Sequence, residues 1–168
     1  VIFERLGSTL SIVLPAFILA VIVGSIFGII AALNRGRPID TVISYLANVG
    51  IAMPLFWLGI LLILFLSLKL KILPVQGYIP PWENFRESVK RLIMPVIVCS
   101  FSPTAHFTRQ TRSAMLEVIR QDYVRTAQAK GLKKGAIIFK HQLRNALIPI
   151  ITVMGNQLGI MVGTTIVL

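Results

Sequence analysis

Side chains able to make or break bonds are scarce in this sequence. Its 168 residues include six carboxylates, two histidines and one cysteine. No Gly-x-x-x-x-Gly-Lys-Ser/Thr loop is present to cradle a nucleoside triphosphate, so the chain is not expected to hydrolyse one itself. A nucleophile elbow, a metal-binding helix and a catalytic carboxylate pair are missing as well. His106 has no second ligand three or four residues on, which favours a packed or interfacial histidine over a metal ligand. Cys99 stands alone in an apolar run, so no disulfide forms within the chain. The expectation is a non-catalytic protein with no metal and no cofactor.

The remaining polar chemistry is of two kinds. Amides and hydroxyls are scattered through apolar stretches: Asn48, Ser100, Ser102, Thr104, Thr152, Asn156 and Gln157. In a lipid setting such groups face protein or water. Asn48, Asn156 and Gln157 either line a solute path or form interhelical hydrogen bonds, which are worth about 0.6 kcal/mol each on average. The second kind is the segment from Thr108 to Thr152, which is amphipathic as well as basic. Arg109 and Arg112 continue at helical spacing from the apolar stretch before them. Asp122 is expected to cap a short helix over Tyr123 to Lys130, and Gly131 to end it in the left-handed conformation. A second amphipathic helix is expected from Lys133 onward. Small residues such as Ala127 and Ala129 on a short exposed helix suit docking into a partner's groove. The same cations suit an interfacial helix lying on anionic lipid.

The elements that must position these groups follow from the apolar pattern. The chain is 55% hydrophobic and 14% charged, against about a quarter charged in soluble domains. Charge is absent between Arg5 and Arg35, Asp40 and Lys69, Arg91 and Arg109, and Arg144 and Leu168. A spanning helix takes about 20 apolar residues, so four spans are expected, over residues 9–33, 41–68, 92–108 and 146–168, the third being the shortest. The net charge of +11 lies between these spans rather than on a soluble fold, which argues against nucleic acid as a partner. Eleven cations flank one side (Arg35, Arg37 and those from Arg109 to Arg144) and six the other (Arg5, Lys69, Lys71, Arg86, Lys90, Arg91). The more basic side, with the loop 109–145, is expected to be cytoplasmic. Ala16, Ala20, Gly24, Gly28 and Ala32 recur every four residues, as do Gly155, Gly159 and Gly163. That spacing puts small residues on one helix face, where another helix approaches closely. Of the prolines in or near the apolar stretches, Pro54 is the most interior, so the second span is expected to kink there, for transport or for architecture.

Two runs carry a resemblance. Asp122-Tyr123-Val124-Arg125-Thr126-Ala127-Gln128-Ala129-Lys130-Gly131-Leu132 and His141-Gln142-Leu143-Arg144-Asn145-Ala146-Leu147-Ile148-Pro149 resemble the cytoplasmic "EAA" loop of binding-protein-dependent permeases, in the form seen in the dipeptide/oligopeptide/nickel branch of ABC importers. Ala31-Ala32-Leu33-Asn34-Arg35-Gly36 with Asp40, Pro54-Leu55-Phe56-Trp57-Leu58-Gly59, and Leu73-Pro74 with Gly77 are similar to the same family. Against the general loop pattern, Arg125 stands at the Glu position, Thr126 at the first Ala, and the later Pro is displaced to Pro149.

The resemblance implies an all-α polytopic bundle of the type I importer permease fold, with about six spans in a whole subunit. Four of these are expected here, and a first and a last helix outside this sequence. It implies that Asp122, Tyr123, Arg125, Thr126, Ala127, Ala129, Lys130, Gly131 and Leu132 form a coupling helix that docks on an ATPase subunit. Arg125 and Lys130 would face acidic rims, and Ala127, Ala129 and Gly131 would permit close approach. It further implies a second homologous permease subunit, an extracytoplasmic solute-binding protein, a multi-pass place in a bacterial or archaeal plasma membrane, and short peptides as solute. Nickel or another small solute is the alternative within the family. Outside it, an ATPase-independent transporter or a membrane scaffold remains. Against the ATPase-independent transporter stands the lack of charged side chains deep in the spans.

Overall fold

The computed structural model describes residues 2–80 and 82–167, without the side chains of residues 2–6 and 164–167. Val1 and Leu168 therefore lie outside the described residues, as does the side chain of Arg5, one of the cations assigned above to the less basic side. The described residues form helices α1 (Ile2–Leu33), α2 (Pro38–Ala52), α3 (Leu55–Leu62), α4 (Phe85–Ile119), α5 (Asp122–Ala129), α6 (Lys134–Ala136) and α7 (Arg144–Val167). Two π-helical stretches extend α3 over Ile63–Lys69 and join α6 to α7 over Ile137–Leu143. By length and composition, Gly7–Leu33 and Lys134–Gly163 are each able to cross a membrane.

Helix α1 has two distinct faces. Val13, Ala16, Ala20, Gly24, Gly28 and Ala32 are buried, while Leu14, Ile18, Ile22 and Ile26 are 46–56% exposed. Such a stripe of exposed aliphatics would be a liability in water and suits contact with lipid. The small-residue face packs on α4. A Cβ placed on Gly24 would lie 2.6 Å from Phe107 Cβ and 2.8 Å from the Thr104 carbonyl oxygen. One placed on Gly28 would lie 2.5 Å from Thr111 Cβ and 2.7 Å from the Thr108 carbonyl oxygen. One turn on, Ala32 shares a buried cluster with Met115. The partners advance together along both chains, so α1 and α4 run parallel and in step. Helix α7 runs the opposite way: Ala146 and Ile150 join Ala32 and Met115 at one end, and Met161 joins Val13 and Ala16 at the other. Together α1, α4 and α7 form the core.

The second small-residue run behaves differently. Gly155, Gly159 and Gly163 have nothing within 4 Å of where a Cβ would stand. The close packing expected of them is therefore not made within this chain, because α7 turns Ile150 and Met161 to the core instead.

Helix α4 starts at Asn84, whose side chain accepts a hydrogen bond from the Glu87 N–H at 3.2 Å. It runs for 35 residues, well beyond the stretch 92–108 expected as a span. Three of its hydroxyls turn back on their own helix: Ser100 donates to Ile97 O, Thr104 to Ser100 O and Thr108 to Thr104 O, at 2.7–3.0 Å. Thr152 does the same toward Ile148 O in α7. These groups are satisfied within one helix rather than between helices.

The stretch expected as a single span over 41–68 is two limbs. α2 and the α3 segment meet at an angle of 102°. The cause is Pro54, whose ring disfavours helical geometry at the residue before it; Met53 is extended, at φ −75° and ψ 124°. The 15 residues of α2 reach about 22 Å, short of the ~30 Å hydrocarbon core, so neither limb crosses alone. Arg91 ties down the following loop by donating to the Gln76 carbonyl at 2.9 Å, and it occupies the space beside Gly77, which sits at φ +110°.

One ion pair fastens α2 to α4. Arg112 Nε and Nη2 donate to Asp40 Oδ1 and Oδ2 at 2.6 and 2.8 Å. Asp40 also accepts from the Gly36 N–H at 3.1 Å and the Ser44 hydroxyl at 3.4 Å. Its side chain is 8% exposed and that of Arg112 is 30%. A bidentate fork on a buried carboxylate is both strong and directional.

Gly28→Leu should destabilise the full-length subunit by about 3 kcal/mol, since the new side chain meets the α4 backbone. Gly159→Leu meets no atom of these helices within 4 Å of its Cβ and should cost less than Gly28→Leu. Unfolding midpoints in mixed detergent–SDS micelles would separate the two, and equal midpoints would refute the α1–α4 register. Arg112→Met should cost about 3 kcal/mol by leaving the Asp40 charge unpaired, and Asp40→Leu on top of it should recover part of that loss. In a double-mutant cycle measured the same way, simple additivity would show that the pair carries no coupling.

Candidate functional site

The amphipathic segment after α4 forms a small folded unit. α4 ends at Ile119, and Gln121, extended at φ −70° and ψ 147°, takes the N-cap position without a side-chain hydrogen bond. The cap expected at Asp122 is thus one residue earlier. Asp122 is instead the first helical residue, where its carboxylate still faces the positive end of the helix and lies 3.7 Å from Arg125 Nη1. Eight residues are too few for a helix to persist on its own, so tertiary contacts must hold α5. Val124 and Ala127, at 0 and 5% exposure, pack on Ile137 at 4%. Tyr123 Oη accepts a hydrogen bond from Asn145 Nδ2 at 2.9 Å, and Asn145 Nδ2 also donates to His141 O.

The end of α5 is a Schellman motif. Gly131 adopts φ +73°, its N–H donates to Gln128 O at 2.9 Å, and the Leu132 N–H donates to Ala127 O at 3.3 Å. This fulfils the expectation for Gly131 and turns the chain toward α6. From Lys134 the helix continues through the π-helical stretch into α7 without a break. The unit is therefore clamped at both ends, to the terminus of α4 and to the base of α7.

The exposed surface of the unit holds most of the residues assigned to coupling. Asp122, Tyr123, Arg125, Thr126, Ala129, Lys130, Gly131 and Leu132 are exposed. Ala127 is not: its methyl group points inward to Ile137, and a larger side chain there would push α5 off the π-helical stretch Ile137–Leu143. The close approach expected of Ala127 to a partner is corrected to a spacer inside the loop. Arg125 and Lys130, with Lys133 and Lys134 next in the chain, make this surface basic, and Asp122 is its acid.

The residues considered for a solute path are not gathered. Asn48 is exposed on α2, while Asn156 is exposed and Gln157 half-buried on α7. α2 and α7 each pack against α1 and α4 rather than substantially against one another. His106 is exposed on α4.

Two pairs escape a reading by sequence spacing. Asn145 lies inside the run His141 to Pro149, but its bond to Tyr123 spans 22 residues. Asp40 and Arg112 are 72 residues apart; the available signal was that Asp40 is one of so few acids in a basic chain.

Residues 24–168 match the family model of the binding-protein-dependent transport system inner membrane component. The oligopeptide transport system permease protein AppB of Bacillus subtilis is 39% identical over 168 residues, covering 99% of this chain and 53% of AppB. The di/tripeptide transport system permease protein DppB of Pseudomonas aeruginosa is 41% identical over 172 residues, covering 90% of this chain and 51% of that protein. The dipeptide transport system permease protein DppB of Escherichia coli is 37% identical over 185 residues, covering 96% and 55%. The chain thus spans about half the length of the curated relatives it matches. A helical membrane bundle with a folded basic unit between α4 and α7 agrees with these matches, and the chain belongs to the family of binding-protein-dependent transport system inner membrane components.

Proposed function

We propose that this chain is the central part of a permease subunit of an ATP-driven importer of short peptides, and that α5 is the element through which an ATPase subunit acts on it. The observation that carries this reading is the mounting of α5. It is a short helix with an exposed basic surface, yet its inner face, its Tyr123–Asn145 bond and its Gly131 turn attach it rigidly to a helix continuous with α7. A push on α5 is passed to α7 instead of being absorbed by a loose loop. The peptide permeases among its relatives support peptides over nickel as solute.

In this reading, ATP is bound and hydrolysed on separate ATPase subunits, whose groove receives Tyr123, Arg125, Ala129, Lys130 and Leu132. Arg125 and Lys130 meet acidic groups there, and the small Ala129 leaves room for the groove wall. A second, homologous permease completes the path, and an extracytoplasmic binding protein delivers the solute. Closure of the ATPase pair displaces α5 and tilts α7 relative to the α1–α4 pair, so that the path opens alternately to each side. The cation bias supports a cytoplasmic side for α5.

Ala129→Trp should leave the subunit folded, since Ala129 is exposed, and reduce peptide-stimulated ATPase activity of the reconstituted complex about tenfold by blocking the groove. Tyr123→Phe should lower the same activity by less, removing one hydrogen bond worth about 1 kcal/mol. The assay is ATPase stimulation in liposomes carrying the complete complex. Unchanged stimulation in Ala129→Trp would favour a helix lying on lipid, which an added tryptophan would only anchor further.

A further inference from the structure

Beside α5, sharing Leu132 and Lys134 with its exposed surface, is a cavity of about 530 Å³. It lies between the turn after α1, the end of α4 and the α5–α6 unit. Arg35, Arg37, Arg120 and Lys134 line it, no carboxylate does, and Ile119 contributes to an apolar wall. Among the described residues none of these four cations is ion-paired; Arg37 reaches Asn34 Oδ1 at a weak 3.5 Å. Gln142 also lines the cavity. It is 4% exposed, and its Oε1 is buried without a hydrogen-bond partner. Buried polar atoms are rarely left in this state, and a ligand is one of the standard reasons when they are. Gln142 sits in the π-helical stretch Ile137–Leu143, a rare geometry that recurs at functional sites.

We infer that this cavity binds a phosphate group, with Arg35, Arg37, Arg120 and Lys134 supplying its counter-charge and Gln142 Oε1 accepting a hydrogen bond from a hydroxyl of the ligand, on a lipid headgroup or on a protonated phosphate. The mixed lining points to an amphiphile: cations for a phosphate, an apolar wall for the glycerol and first methylenes of a lipid. Basic pockets between helices at the inner face of a membrane commonly take anionic headgroups. An anionic phospholipid and soluble phosphate share this chemistry, and the site stands whether or not α5 contacts an ATPase subunit. Occupancy would join α1, α4 and α6 through one ligand, beside the unit that must move.

The test uses the full-length subunit in its complex, reconstituted in nanodiscs of phosphatidylcholine and phosphatidylglycerol and then extracted for native mass spectrometry. Wild type should retain phosphatidylglycerol over phosphatidylcholine. Arg37→Gln/Arg120→Gln, at two exposed positions, should lower that preference about 25-fold, or about fivefold per cation removed. Gln142→Leu should lower it as well, whereas a merely misfit glutamine would give a more stable protein with unchanged retention. Added inorganic phosphate distinguishes the sources: competition with the lipid assigns the site to phosphate of either origin, and no competition assigns it to the lipid. Equal retention of both lipids with no phosphate effect, or full retention in the double variant, would overturn the inference. So would a crosslink from Arg120→Cys to an ATPase subunit in place of retained lipid, since an acidic protein segment would then fill the cavity.

Discussion

The close approach of α1 and α4 is the contact on which the rest of the structure is built. Between lipid-exposed helices there is no hydrophobic gain in burying one aliphatic side chain against another, so association rests on tight packing. Gly24 and Gly28 bring the α1 backbone against Phe107, Thr108 and Thr111 with no room for even a methyl group. This fixes both separation and register. The parallel pair then offers two further grooves. α7 fills one, along Ala32 and Met115 at one end and Val13 and Ala16 at the other. α2 takes a place on α4 that the Arg112–Asp40 fork determines.

Much of this was legible from residue types, and the limits are physical ones. Apolar blocks located α1 and α7, because the length of a charge-free run is a direct consequence of membrane thickness. The four-residue spacing of Ala16 to Ala32 showed a packing face, and Gly131 and Pro54 were readable because each restricts the backbone locally. The partner of a small-residue face was not readable. The run from Gly155 to Gly163 has the same spacing as that in α1, yet faces away from the chain's own helices. Spacing establishes that residues share a face and not what meets it. Ala127 and Ala129 show the same limit within α5: both are small, but Ile137 covers the first and leaves the second exposed.

Polar residues within the apolar stretches obey a related logic. The hydroxyls of Ser100, Thr104 and Thr108 on α4 and of Thr152 on α7 are satisfied by a carbonyl of the preceding turn, a bond open to any serine or threonine in a helix. They therefore say little about neighbours. Tyr123, Asn145, Asp40 and Arg112 differ because each finds its partner on another element. All four lie toward the end of the bundle that carries α5. Long-range polar bonds also stand at the opposite end, where Ser11 Oγ lies 3.3 Å from Tyr78 Oη and Arg91 donates to the Gln76 carbonyl, so polar bonds tie down both ends of the bundle and close packing serves between them.

The break at Pro54 completes this division of labour. Non-helical backbone is tolerated at membrane depth only where its polar groups find partners in protein or water. Here the Met53 N–H reaches Val49 O at 2.9 Å, and the Trp57 and Leu58 N–H groups both reach Pro54 O at 3.1 and 3.2 Å. These bonds close the end of α2 and the first turn of α3, so the bend is a defined feature rather than a frayed end. It is also the place where the chain bends most cheaply, since no helical hydrogen bond has to be broken there. The molecule therefore combines an inflexible α1–α4 pair, a continuous α6–α7 rod carrying α5, and a joint in the remaining limb. Relative motion of the rod and the pair meets least resistance at α2 and α3, the elements that already carry the bend.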